Sequence, residues 1–375
     1  MNSIAFLILS TGWGGLEMNT LKLAGLLKKT GWNVSLIVAD NSAIYRESKD
    51  IFSSIVILKG RKKFLDITNA YKISVFLKKN DINTVFVSDN KDLKTVSLVK
   101  RFFSKKISII YQQHMQIGMN KKSIVHTIRY QSINYWISPL EWLKNEVIER
   151  THYPVEKIKV IPIGVDIDTL SLKTYSKEEA LNKLNIHPEA PLVGIIGRIA
   201  EPKGQHILIE AVLELKRRGI TIEVLIFGSP TINDPSCVAY DAALRKTVLK
   251  NNIQESVHFR DFNKDVALFY NAIDIFTIAT ESETYGMVTI EAMLSKLPVI
   301  GTNSGGTKEI LKNGELGLLF EYNNIADYCD KVEWVLNNRS ESNLMIEKAQ
   351  EYALLHYSQD TEVENIIDLI KTIKS

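Results

Sequence analysis

A chain of 375 residues, 45% apolar and 24% charged, is long enough for two hydrophobic cores and too apolar to remain disordered. Its two cysteines, Cys237 and Cys329, exclude a disulfide framework and a cysteine-based zinc cluster, and suit a reducing cytosol. The net charge of +3 hides an imbalance: residues 1–165 hold 25 Lys and Arg against 12 Asp and Glu (+13), and the remainder 21 against 31 (−10). Either the two halves are independently solvated, or the first faces something anionic.

The apolar start Ile4–Leu9 is short, lacks a basic flank and runs at once into Gly12, Gly14 and Gly15, so it reads as a buried strand rather than a signal peptide. No apolar stretch reaches the ~18–20 residues of a transmembrane helix. A helix is predicted over Leu16–Lys29, then strands over Asn33–Ala39 and Ile55–Leu58. The helix Ile67–Lys79 follows, with strands over Thr84–Ser88, Ile107–Gln112 and Tyr135–Ser138. The pattern restarts at the strand Leu192–Gly197 and the helix His206–Arg218. Further strands fall over Glu223–Phe227, Ser256–Phe259, Ile275–Ile278 and Pro298–Thr302. This alternation predicts an α/β protein with two doubly wound, Rossmann-like parallel-sheet domains. The charged, proline-bearing segment Val155–Glu189 is the expected boundary between them.

Ligands of such sheets bind where strands end and helices begin. After the first strand comes Thr11-Gly12-Trp13-Gly14-Gly15-Leu16-Glu17, where glycines let a backbone approach an anion at a helix N-terminus. A dinucleotide fingerprint asks for a third glycine where Glu17 stands, which disfavours an NAD-dependent oxidoreductase. A plain tight turn remains the alternative. The equivalent turn of the second half, Gly197-Arg198-Ile199-Ala200-Glu201-Pro202-Lys203-Gly204, sets two cations on a glycine-bounded loop, as a diphosphate requires. Solvated loop charges are the alternative there.

The run Glu283-Thr284-Tyr285-Gly286-Met287-Val288-Thr289-Ile290-Glu291 places Glu283 on a loop and Glu291 among apolar helix residues. A carboxylate in that setting needs a partner, and a pair of sugar hydroxyls would serve. Gly301-Thr302-Asn303-Ser304-Gly305-Gly306 forms another glycine-bearing strand-to-helix turn. His114 follows the strand Ile107–Gln112, where a structural histidine and a functional one are both open readings.

Taken together and in this order, these motifs resemble the retaining glycosyltransferases of family 4, over nearly the whole chain and most strongly from Leu192 to Phe320. The resemblance implies a GT-B fold: two Rossmann-like domains facing a central cleft. Residues 1–165 would bind the acceptor, 166–355 the nucleotide-sugar donor, and a helix within 356–375 would pack back toward the first domain. The family's paired glutamates, seven residues intervening, are met by Glu283 and Glu291, and its Gly-Arg…Lys-Gly turn by Gly197, Arg198, Lys203 and Gly204. Its N-terminal glycine loop is met by Gly14, Gly15 and Glu17, and its sugar-contacting histidine by His114.

By the same resemblance, Arg198 and Lys203 would neutralise the leaving diphosphate and Glu291 would hold the ribose. Glu283, with the backbone of Gly286, Met287 and Val288, would position the donor sugar. Arg260 and Asp261 would edge the base pocket. No metal or other cofactor is implied.

The expected partners are a UDP- or GDP-sugar and a glycan or glycolipid acceptor, with no nucleic acid. The reaction would serve cell-surface polysaccharide or lipopolysaccharide-type synthesis in the cytoplasm. The basic clusters Lys59/Arg61/Lys62/Lys63, Lys100/Arg101, Lys105/Lys106 and Lys121/Lys122, with Phe64, Phe102, Phe103, Ile117 and Met119 among them, suggest peripheral docking on an anionic membrane. A nucleotide-sugar epimerase of similar architecture and a non-catalytic sugar-nucleotide-binding subunit are the rivals. Two positions depart from the family pattern: Ile163 before Gly164-Val165-Asp166, and Asp261 where glycine is common.

Overall fold

The computed structural model describes residues 2–62, 66–167 and 175–374. Lys63 and Phe64 of the basic clusters lie outside that set, as does part of the segment read as a boundary. The chain divides into two compact units, residues 1–164 with 359–375 and residues 165–358.

Unit 1 is built on strands β1 (Ser3–Ile8), β2 (Asn33–Ala39), β3 (Ile55–Leu58), β4 (Thr84–Val87), β5 (Ser108–Gln112), β6 (Tyr135–Ser138) and β7 (Ile158–Val160). They form one parallel sheet in the order β3-β2-β1-β4-β5-β6-β7. Central strands of a sheet covered on both faces must be apolar throughout, and β1 is buried from Ile4 to Ile8.

The helices α1 (Gly15–Lys29), α2 (Ala43–Ser48), α3 (Ile67–Lys79), α4 (Leu93–Leu98), α5 (Ile124–Tyr130) and α6 (Glu141–Arg150) connect the strands. One face packs on Ala70, Ile73 and Leu77 of α3. The other packs on Leu23, Ala24 and Leu27 of α1 and on Val363, Ile366, Leu369 and Ile370 near the C-terminus.

Unit 2 contains α7 (Lys177–Leu184), β8 (Leu192–Ile196), α8 (Gln205–Arg217), β9 (Glu223–Phe227), α9 (Pro235–Lys250), β10 (Val257–Arg260), α10 (Ala267–Ala272) and β11 (Ile275–Ile278). It continues with α11 (Met287–Leu294), β12 (Val299–Thr302), α12 (Gly305–Ile310), β13 (Leu318–Phe320), α13 (Ile325–Asn337) and α14 (Arg339–His356). Its parallel sheet runs β10-β9-β8-β11-β12-β13. The last helix, α15 (Gln359–Lys374), returns to unit 1.

In both sheets the strand order reverses beside the strand that precedes a glycine turn, β1 in one and β8 in the other. That is the crevice where open α/β sheets take ligands.

The segment read as a boundary is more structured than its composition suggested. It holds β7, and it holds α7, which opens on a capping box between Ser176 and Glu179 and closes on Asn185 in the left-handed conformation. Among the described residues, no helix is long and apolar enough to cross a membrane.

Candidate active site

Three loops at the carboxyl ends of β8, β11 and β12 are stitched together in unit 2, by backbone N–H groups and by side-chain hydroxyls that donate to backbone carbonyls. The N–H of Glu281 donates to the carbonyl of Pro202 (3.0 Å), and that of Gly306 to the carbonyl of Glu283 (2.8 Å). Ser304 Oγ donates to the carbonyl of Glu281 (2.6 Å), and Thr302 Oγ1 to that of Thr280 (2.7 Å).

Close approach dictates glycine at two places here. A Cβ on Gly204 (φ +73°) would lie 2.2 Å from the Ala279 carbonyl oxygen, and one on Gly305 (φ +52°) would lie 2.5 Å from that of Glu283. These glycines let the loops touch, and the contact sets their side chains.

The contact brings Lys203 and Glu283, eighty positions apart, into an ion pair of 2.7 Å. The ammonium is a third exposed and the carboxylate 17% exposed, so the pair sits at an open edge rather than in the core. The other Glu283 oxygen accepts the N–H of Thr284 (3.2 Å). Arg198 is exposed, and among the described residues its guanidinium has no partner. Its carbonyl is held by Nε2 of the buried Gln205 (3.0 Å). One cation is therefore committed to a carboxylate, and the other faces solvent beside it in sequence.

α11 begins after Gly286, its N-cap, so Met287 and Val288 form the first turn of that helix. Glu291, one turn in, accepts a 2.7 Å hydrogen bond from the buried Tyr270 hydroxyl, which also reaches the Val288 carbonyl (3.4 Å). Burial and the neighbouring Glu291 charge push the Tyr270 phenol well above its ordinary range, so it remains a donor. The partner that Glu291 needs is thus supplied in part by the protein. Tyr270 carries no sequence signal separating it from the core aromatics around it.

Arg260 and Asp261 both make hydrogen bonds within the protein. The Arg260 guanidinium donates to the carbonyls of Leu184, Asn185 and Phe259, which braces the end of α7 against β10. Asp261 accepts from Ser229 Oγ (3.1 Å). Two guanidinium N–H groups of Arg260 and the second oxygen of the exposed Asp261 are not used in these bonds.

Unit 1 places His114 after β5, half-buried, with Nε2 3.2 Å from Gln112 Oε1. Loss of solvent lowers its imidazole to about 4, opposed weakly by the Asp89 charge. In the turn after β1, the buried Glu17 folds back so that its carboxylate accepts the N–H of Gly14 (3.0 Å). That amide, expected to face an anionic ligand, is met by the protein's own anion. Around the same edge, Arg61 pairs with Asp89 and with the fully buried Asp92 (2.7 Å), whose other oxygen accepts the N–H of Leu9 (2.9 Å).

Residues 13–169 match the family model Glycosyltransferase Family 4, and residues 176–352 match Glycosyl transferases group 1. The fold is GT-B. It is similar to that of a glycosyltransferase from Rickettsia africae (TM-score 0.87, 20% identity, 100% of this chain and 99% of the other). It is also similar to Anabaena HepE in complex with UDP (TM-score 0.85, 17% identity, 99% and 100%). The Glycosyltransferase Family 4 match falls almost wholly on unit 1, and the Glycosyl transferases group 1 match falls within unit 2.

Among curated relatives, a D-inositol 3-phosphate glycosyltransferase of Corynebacterium urealyticum is 26% identical over 58% of this chain and 51% of its own length. The capsular polysaccharide biosynthesis glycosyltransferase CapM of Staphylococcus aureus is 28% identical over 53% and 51%. The chain spans about half the length of these curated relatives.

Proposed function

We propose that this protein is a retaining glycosyltransferase that moves a hexose-type sugar from a UDP- or GDP-sugar to a hydroxyl of a glycan or glycolipid acceptor. The observation that carries the reading is the stitched loop cluster of unit 2. It sets Arg198, the Lys203–Glu283 pair and the first turn of α11 at the carboxyl edge of one sheet. Two cations and a helix N-terminus suit a diphosphate, and carboxylates on neighbouring loops suit sugar and ribose hydroxyls. The UDP bound to the structurally similar HepE favours a uridine donor, and the capsular relative favours a cell-surface polysaccharide product.

In the proposed reaction, the bond between the anomeric carbon and the β-phosphate oxygen breaks while the acceptor oxygen bonds to the same face of that carbon. The acceptor proton passes to the departing phosphate. Arg198 and Lys203 stabilise the charge that develops there, so no metal or other cofactor is needed. Glu283 orients the donor sugar, Glu291 the ribose, and His114 contributes a sugar contact.

The acceptor partner extends the proposal to a membrane surface. α5 exposes Ile124, Val125 and Ile128, with Met115 and Met119 nearby in sequence and Lys121, Lys122 and Arg129 alongside. Phe102 is exposed as well, whereas Phe103 and Ile117 pack against the core and are unavailable for such contact. Flotation with anionic vesicles at low salt is the check: binding weakened by salt supports docking, and none at low salt rejects it.

The transferase reading is tested by incubating the purified protein with UDP- and GDP-sugars and following its thermal stability. A donor at 100 times its dissociation constant adds ~2.7 kcal/mol. The stabilising donor is then supplied with candidate acceptors, and the anomeric configuration of the product is read by NMR. An inverted product overturns retention. Sugar interconversion without acceptor supports the epimerase instead.

A further inference from the structure

Unit 1 contains a buried polar chain leading to His114, and its other members, Glu362 and Gln112, have no part in the reaction above. Glu362, on α15, is 5% exposed. One of its carboxylate oxygens accepts a hydrogen bond from Gln112 Nε2 and the other from the N–H of Gly164, each 2.8 Å long. Gln112, at the end of β5, is 1% exposed. An ionised carboxylate only accepts, so it fixes the Gln112 amide with its NH2 toward Glu362 and its carbonyl toward Nε2 of His114. That carbonyl also only accepts, so the His114 proton must sit on Nε2. The ring is neutral at neutral pH, which makes its tautomer a real choice. Among the described residues, Nδ1 of His114 has no hydrogen-bond partner.

We propose that Glu362 is a positioning residue: through Gln112 it holds His114 as the Nε2–H tautomer, so that Nδ1 is offered as an acceptor to a ligand hydroxyl. The identity of that hydroxyl rests on the glycosyltransferase reading, whereas the tautomer does not. The charged groups facing the chain are Lys22 of α1, whose ammonium donates to the Gly164 carbonyl (3.1 Å) and favours the carboxylate, and Asp89, which acts on His114. Burial pushes the Glu362 carboxyl up to about 7, so the test is set at pH 8.5, where it is ionised.

Nitrogen-15 NMR of the His114 ring reads the tautomer directly in the full chain. The wild type should show a protonated Nε2 and a bare Nδ1, and Glu362→Gln should lose that single form. Gln112→Leu, which leaves Glu362 on Gly164, should do the same and covers the case in which Glu362→Gln fails to fold. With an active donor, Glu362→Gln should lower kcat about tenfold with KM nearly unchanged, and should have no further effect in a His114→Ala background. An Nδ1–H tautomer in the wild type, an unchanged tautomer in both variants, or the same tenfold loss without His114 overturns the proposal. Absence of transfer with every donor overturns the functional reading alone, because the ring spectrum still decides the relay.

Discussion

The carboxyl edges of the two sheets are built by different chemistry. In unit 2 the loops are joined through backbone carbonyls that accept from backbone N–H groups and from neutral hydroxyls, and glycines at 204 and 305 permit the contact. In unit 1, buried carboxylates grip backbone N–H groups. Asp92 holds Leu9, Glu17 holds Gly14, Glu362 holds Gly164, and Glu146 holds Ile117 and Gly118 (2.7 and 2.9 Å). The glycines after β1 have ordinary negative φ or extended backbone, and a Cβ on Gly15 would meet nothing within 4 Å. Two turns at the same place in one topology therefore fail for different reasons, the one by steric collision and the other by loss of charge.

The largest effect that would sharpen this contrast is at Gly204. Gly204→Ala should destabilise the protein by ~3 kcal/mol or more, through a carbonyl collision in a left-handed backbone, whereas Gly15→Ala should stay within ~1 kcal/mol. Denaturant melts of both variants measure this, and equal small losses would erase the distinction.

Arg198 separates chemistry from architecture within unit 2. Arg198→Ala should cost about 10²–10³ in turnover, because it removes charge stabilisation, and should leave the melting temperature unchanged. Near-normal turnover would detach the exposed guanidinium from catalysis.

For unit 1 the sensitivity should appear as pH. The folded Glu362 carboxyl titrates near 7 against an ordinary 4.5, with burial as the main cause. Because the folded value is raised, its protonation contributes stability that is present below pH ~4.5 and lost as pH rises through 7. Glu362→Gln has no such loss. It should gain on the wild type by on the order of 3 kcal/mol between pH 4.5 and 8, and parallel stability curves would refute this. The smallest effect is expected at Glu17, where Glu17→Gln should cost ~0.5–1 kcal/mol by weakening the charge at the N-terminus of α1. A loss of several kcal/mol would show that Glu17 does more than hold Gly14.

Much of the fold was legible because both sheets are buried on two faces, which gives strands such as Asn33–Ala39 and Glu223–Phe227 the apolar runs Leu36–Ala39 and Val224–Phe227. β7 and β13 escaped because each has three residues at a sheet edge, too few to show a period. The site was legible as motifs and illegible as contacts. Nothing local in Lys203 or Glu283 announces that they pair, and Gln112 and Glu362 are separated by 250 positions. Arg260 reads as a ligand-facing cation because sequence cannot show that three carbonyls already occupy it.

The return of α15 to unit 1 also orders events during synthesis. Unit 2 is one uninterrupted stretch, Val165–Ser358, and all of its strands have left the ribosome before α15 does. Unit 1 is begun before unit 2 and cannot be finished until α15 arrives. Ile366 and Ile370, both fully buried in the finished core, cover the face shared with α1, and Glu362 supplies the last carboxylate grip. Until then that apolar face stays open in the nascent chain, a natural handle for chaperones and a hazard for aggregation. Of the two units, the one translated earlier is the later to close.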